Sequence, residues 1–219
     1  MPALPNDYDT DPSRWASHDP SVQTHGDVHK PVAERIIREG LAPVLDVGGG
    51  QGTLVRLLPV ACRAVAVDLS PTQLTPAPGP KVRAHAAALP ISQEAAGAVA
   101  MLWMLYHLDE PIQAIREAKR VLRSDGLVVA STTSRTNDPE LTDGYPPTSF
   151  DAEVAVDIVA SVFEEVSAER WDAPTTLLAD DAAVRRYCHS HLLPSEAAHR
   201  VTPPIWLTKR GCLVYAYKH

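Results

Sequence analysis

The chain has 219 residues, 45% of them apolar and 21% charged, and 20 Lys and Arg against 27 Asp and Glu leave a net charge of −7. That length is ample for one large domain with its own core, and the apolar share excludes a disordered, collagen-like or disulfide-scaffold chain. The acidic balance without a basic run argues against a nucleic-acid partner. The longest apolar stretch, 95–105, falls short of the ~20 residues that a membrane-spanning helix needs.

In chain order, 1–22 is rich in Pro, Asp and Ser without a period and reads as a flexible arm, with no apolar segment of a signal peptide. Thr24 and Asp27 have capping-box spacing, and Val28, Val32, Ile36 and Ile37 recur at helical intervals before Gly40. These features predict a covering helix within 23–40. A core over 43–134 follows, with strands at 44–47, 64–67, 82–84 and 98–103 and a helix after the glycines near 54–58. Four prolines over 71–80 leave mostly loop, Pro111 opens a helix at its favoured first position, and Ser124-Asp125-Gly126 turns into a strand at 127–131. The remainder reads as a polar loop at 135–150, a helix at 152–163, a strand at 166–171, two short cap helices over 180–201 and a last strand at 211–217. Apolar strands alternating with helices imply a single α/β domain: a Rossmann-like, doubly wound, mostly parallel seven-stranded sheet with helices on both faces and a small helical cap. Cys62, Cys188 and Cys212 are widely separated without metal-ligand spacing, which favours a reducing compartment; the expectation is a soluble, cytoplasmic protein.

The informative stretch runs Val44-Leu45-Asp46-Val47-Gly48-Gly49-Gly50-Gln51-Gly52-Thr53-Leu54. A strand, a glycine turn and a helix start set bare backbone and a helix N-terminus against a ligand. Gly48, Gly50 and Gly52 stand at relative positions one, three and five, whereas a dinucleotide fingerprint needs one, three and six, and no Lys-Ser/Thr pair makes a P-loop. Asp46, two residues before Gly48, would repel a diphosphate and attract an ammonium group. Asp68, closing the next strand, suits the two vicinal hydroxyls of a ribose. An adenosine carrying an amino-acid tail satisfies both acids, and that ligand is S-adenosylmethionine.

Five segments in register extend the pattern: 45–52, then Val67-Asp68-Leu69-Ser70-Pro71, then Ala88-Leu89-Pro90, then Tyr106-His107-Leu108, then 114–126 leading into the fifth strand. On these residues the chain resembles the class I S-adenosylmethionine-dependent methyltransferase family from Leu45 to about Ser131, with a weaker echo in the final strand. The resemblance implies that Asp46 serves the methionine amino group, Gly48, Gly50 and Gly52 the close backbone approach, and Asp68 the ribose. It places Leu69 on adenine and the Leu102 backbone toward the methionine part. Many relatives carry Gly-Asp-Ala before Leu-Pro, the Asp bonding the adenine amino group; here the segment reads Ala84-His85-Ala86, so His85 takes that place, beside Ala86, and a neutral imidazole would accept the same bond.

Methyl transfer from a sulfonium needs alignment of donor and acceptor and exclusion of water, with a base only where the acceptor must lose a proton. His107, after the fourth strand, sits where ligands of open α/β sheets bind and is a candidate base or orienting group, as is His25 at the start of the first helix. His25 and His29 have two-ligand metal spacing but no third ligand nearby, and the fifth strand ends in Ser131-Thr132-Thr133-Ser134 without acids, so the expected transfer is metal-independent. Tyr8 and Trp15 are candidates for a lid, Trp103 and Tyr106 for the substrate side of the fourth strand, and His189 and His191 for cap contacts. The reading is methyl transfer to a small-molecule O, N or C nucleophile, with S-adenosylhomocysteine as product. The alternatives are a non-catalytic cofactor-binding regulator and a nucleotide-dependent oxidoreductase.

Overall fold

The computed structural model describes residues 8–10, 22–24 and 27–219. Parallel strands β2 (Val44–Val47), β3 (Val65–Asp68), β4 (Lys81–Arg83), β5 (Ala96–Leu102) and β6 (Leu122–Thr133) build one side of the sheet. The long strands β7 (Glu165–Leu178) and β8 (Ile205–Lys218) complete seven in the order β4-β3-β2-β5-β6-β8-β7, with β8 antiparallel to both neighbours. A three-residue strand β1 (Val22–Thr24) adds an eighth at the β7 edge.

Alternation along the central strands separates two cores. Val99 and Met101 of β5 and Val128 and Ala130 of β6 face one side, where Ala114, Ile115 and Ala118 of α4 (Pro111–Val121) and Ala155 and Val159 of α5 (Ala155–Ala160) pack. Ala98, Ala100 and Leu102 with Leu127 and Val129 face the other side, against Val32, Ala33 and Ile36 of α1 (His29–Arg38) and Leu54 of α2 (Thr53–Leu57). Strands buried on both faces read as continuous apolar runs, which is why the sequence carried them clearly. Short α3 (Pro71–Leu74) opens with Ser70 accepting from Gln73 N–H, as expected of a proline-rich stretch that leaves one turn of helix.

The structure differs from the sequence reading at four places. Helix α1 begins only at His29; Thr24 lies in β1, whose backbone pairs with Thr176–Leu178, so the predicted capping box does not form and the Asp27 carboxylate instead accepts from His29 N–H. The Ser124-Asp125-Gly126 turn is absorbed into β6 as a bulge between the pairs Ala96–Leu122 and Ala98–Leu127, with Asp125 at φ +61°. Residues Ser195–Arg200 form a 3-10 helix, following α6 (Asp181–Ser190), whose N-terminus Asp180 caps through Ala183 N–H. Strands β7 and β8 run well beyond 166–171 and 211–217, and their extension pairs Asp172–Arg210 through Leu178–Ile205. On that extension α6 and the 3-10 helix pack Leu141, Leu178, Val184, Tyr187 and Leu207 into a third core.

Candidate functional site

The glycine turn follows β2 at the carboxyl edge of the parallel strands, between the connections to β3 on one side and β5 on the other, which is where open α/β sheets bind ligands. Gly48, Gly50 and Gly52 all have positive φ (+68°, +49° and +79°), a backbone that only glycine adopts without cost. A Cβ on Gly48 would lie 2.6 Å from Met104, and one on Gly49 would lie 2.6 Å from the Asp46 carboxyl. Gly49, with an ordinary φ, is therefore a space requirement that glycine counting by spacing did not single out.

Asp46 is 2% exposed, and its Oδ2 has no hydrogen-bond partner among the described residues. Burial pushes its carboxyl up to about 7, with the nearby charge of Asp68 adding to the rise and that of His29 opposing it. Asp68 is held differently. Gly50 N–H donates to its Oδ2 at 3.0 Å and Ser70 N–H to its Oδ1 at 2.9 Å. Burial raises its carboxyl as well, these backbone donors lower it, and the charge of Asp9 raises it further. Each Asp68 oxygen keeps a second lone pair for an incoming hydroxyl donor.

A cavity of about 390 Å³ opens here. Among the residues singled out from sequence, Gly48, Gly50, Asp68, Leu69, His85, Ala86 and His107 all line it, as do Tyr8 and Trp103. Asp46, Gly52 and Leu102 stand behind the lining. Asp46 lies beneath Gly49, Gly52 abuts Pro78 at the start of α2, and Leu102 is buried in the core of the α1 face. His25 and Trp15 lie outside the described residues. Met104, Gln73, Asp109, Glu110 and Gln113 also line the cavity; no spacing or composition signal marks them, because only the fold brings them to this edge.

His107 is set between two tyrosines. Tyr8 Oη is 2.7 Å from His107 Nε2 with the rings edge-on, and the Tyr106 ring lies 4.7 Å from the imidazole on a tilt. The neighbouring Asp9 carboxylate accepts from Ser70 Oγ at 2.6 Å and from Thr72 N–H, and these donors lower its pKa. Tyr8 and Asp9 thus bridge the turn that follows β5 and the start of α3 across the cavity. At the tip of β5, Trp103 has φ +58°, rare for a bulky side chain, and is held there by Trp103 N–H on Ser131 Oγ at 3.0 Å and edge-on contact with Trp171.

An unpartnered buried carboxylate oxygen under a bare glycine turn, beside a second carboxylate with open lone pairs, suits a ligand carrying an ammonium group and a diol. A diphosphate would meet two negative groups there.

Residues 45–130 match a family model described as a methyltransferase domain. No curated protein matches the chain. Among solved structures, the 4+2 cyclase SpnF aligns at 17% identity over 100% of this chain and 98% of its own, with a TM-score of 0.65. A SAM-dependent methyltransferase from Thermotoga maritima aligns at 18% identity over 88% of each chain, with a TM-score of 0.57. One from Archaeoglobus fulgidus aligns at 14% identity over 86% of this chain and 94% of its own, with a TM-score of 0.56. Identities this low establish the shared fold.

Proposed function

This chain carries, across residues 45–130, the core of the class I S-adenosylmethionine-dependent methyltransferase family, and we propose that it methylates a small, uncharged or cationic molecule at an O, N or C nucleophile. It is a methyltransferase with S-adenosylmethionine as its cofactor. When bound, the cofactor supplies an electrophilic methyl group on a good leaving group. In this proposal Asp46 takes the amino group of the methionine part, Asp68 the ribose hydroxyls, and Gly48 and Gly50 leave room for close approach. Leu69, 45% exposed at the cavity wall, gains a purine face to cover it. The observation that carries the assignment is the partnerless Asp46 oxygen, since a buried acceptor left unpaired costs ~1–3 kcal/mol unless a ligand completes it.

The acceptor side falls to Tyr8, Trp103, Met104, His107 and Leu108. His107 orients an acceptor hydroxyl or amine, or removes its proton, with the Tyr8 hydroxyl steadying the imidazole. The cavity size falls within the range of small-molecule sites, and no Lys or Arg lines it among the described residues, whereas Asp68, Asp109 and Glu110 do. That balance disfavours phosphorylated or carboxylated acceptors. Strand β6 ends in Ser131-Thr132-Thr133 without acids, which supports metal-independent transfer. No helix of the described residues is long and apolar enough to cross a membrane.

A screen for incorporation of labelled methyl groups into amines, phenols, alcohols, carboxylates and RNA, with and without EDTA, tests this reading. Incorporation into neutral or basic small molecules, unaffected by EDTA, is expected. Incorporation only into RNA or anionic acceptors, or loss in EDTA with recovery in magnesium, overturns the acceptor or metal assignment respectively.

A further inference from the structure

Tyr8 lines the cavity on its acceptor side, together with Trp103, Met104, His107 and Leu108. Its hydroxyl lies 2.7 Å from His107 Nε2, within the ~2.6–3.2 Å over which a hydroxyl passes its proton to a base. The two rings meet edge-on with centroids 5.3 Å apart. The nitrogen that His107 would offer an acceptor is therefore already held by a phenol of the protein's own. Space points the same way. With Tyr8 in its wall the cavity measures about 390 Å³, near the low end of the ~300–1,000 Å³ of small-molecule sites. That is room for one cofactor-sized ligand and not for an acceptor beside it.

We propose that Tyr8 stands in the acceptor's place and that the acceptor is a phenol. A small hydroxylated aromatic displaces the Tyr8 side chain, lays its ring among Trp103, Met104 and Leu108 and sets its hydroxyl on His107 Nε2. This names the acceptor class of the site assigned above and rests on that assignment. In the transfer the phenolic oxygen bonds the methyl carbon as the carbon–sulfur electron pair goes to sulfur, and His107 Nε2 receives the phenolic proton. Acidity decides the class. A phenol, with an ordinary pKa of ~10, lies within about four pK units of an imidazole at ~6.5, whereas an alkanol holds its proton far more tightly. An imidazole therefore serves a phenol as base and leaves an alkanol protonated.

The probe is 4-methylphenol, the tyrosine side chain itself, titrated into the full chain saturated with S-adenosylhomocysteine, for wild type, Tyr8→Phe and Tyr8→Ala. It should bind Tyr8→Ala about tenfold or more tighter than wild type, and about tenfold or more tighter than toluene, which lacks the hydroxyl. With labelled S-adenosylmethionine, Tyr8→Ala should methylate it with KM lowered about tenfold and kcat within about threefold of wild type. Tyr8→Phe keeps the ring and loses only its bond to His107, so its affinity for 4-methylphenol should fall between the other two; it decides by itself should Tyr8→Ala not fold. Equal affinity in wild type and variant overturns the shared place. Tight binding without methyl transfer, or transfer to 4-methylaniline or cyclohexylmethanol in preference to 4-methylphenol, overturns the phenol assignment and leaves the cofactor site standing. Failure of wild type to bind S-adenosylhomocysteine overturns both.

Discussion

Asp46 shows how one side chain ties folding, pH and ligand together. Burial holds its carboxyl at about 7 against an ordinary 3.8. A group whose folded pKa is raised binds more protons folded than unfolded between those values, so its contribution makes stability fall as pH rises through that window. Asp46→Asn cannot ionise and should flatten the slope; thermal melts of the ligand-free protein between about pH 4.5 and 8 check it, and an unchanged profile would place the effect elsewhere. An ammonium partner requires the ionised form, so cofactor binding near pH 6 should release protons, seen as a dependence of the calorimetric heat on buffer ionisation enthalpy. Asp68→Ala should weaken S-adenosylhomocysteine by ~1.5–3 kcal/mol, the usual worth of hydrogen bonds to a charged group, measured by titration calorimetry. Gly49→Ala drives a methyl into the Asp46 carboxyl and should cost ~1–3 kcal/mol in denaturant unfolding, as overpacking does. A variant as stable as wild type would mean that the turn can move aside.

At the level of elements, the buried strands and amphipathic α4 were legible because their periods are local: Ile115, Ala118 and Val121 share one helix face, and Val99 and Met101 one sheet face. The β7–β8 extension was not, because a strand there is defined by its partner, and 172–178 mixes Pro174, Thr175 and Thr176 with no apolar alternation. What holds the extension to the loop at 135–150 is a buried charge. Asp138, with no exposed surface, accepts from Asn137, Tyr145 and Tyr187 and pairs with Lys209 Nζ at 2.7 Å; Lys209 also bonds the Tyr187 hydroxyl. Burial pushes the Lys209 ammonium toward neutrality, and Asp138 opposes this. Lys209→Met leaves Asp138 buried and without its cation and should destabilise by ~3–5 kcal/mol in urea unfolding. Pairing it with Asp138→Asn should recover part of that loss, and additive effects of the two substitutions would argue against the coupling.

Across the whole molecule, residues far apart in the chain converge on one cavity: Tyr8 and Asp9 from the N-terminal arm, the β2 turn, the end of β3, and the tip of β5. Replacing both Tyr8 and Asp9 by Ala removes contacts across the cavity mouth while sparing all three cores. The double variant should release S-adenosylhomocysteine several-fold faster in stopped-flow displacement, with stability within ~0.5 kcal/mol of wild type. An unchanged release rate would show that the arm does not retain the cofactor. By itself the sequence determined the parallel strands, the glycine turn and the two acids that flank it, because each depends on spacing within a few residues of one strand end. Only the tertiary structure decided that Gly49 must lack a side chain and that Tyr8 meets His107. It likewise decided that Asp138 finds Lys209. Tyr8 and His107, and Asp138 and Lys209, lie 99 and 71 residues apart and leave no periodic trace, whereas Gly49 and Asp46 are near neighbours in the chain that only the three-dimensional path of the turn brings into contact.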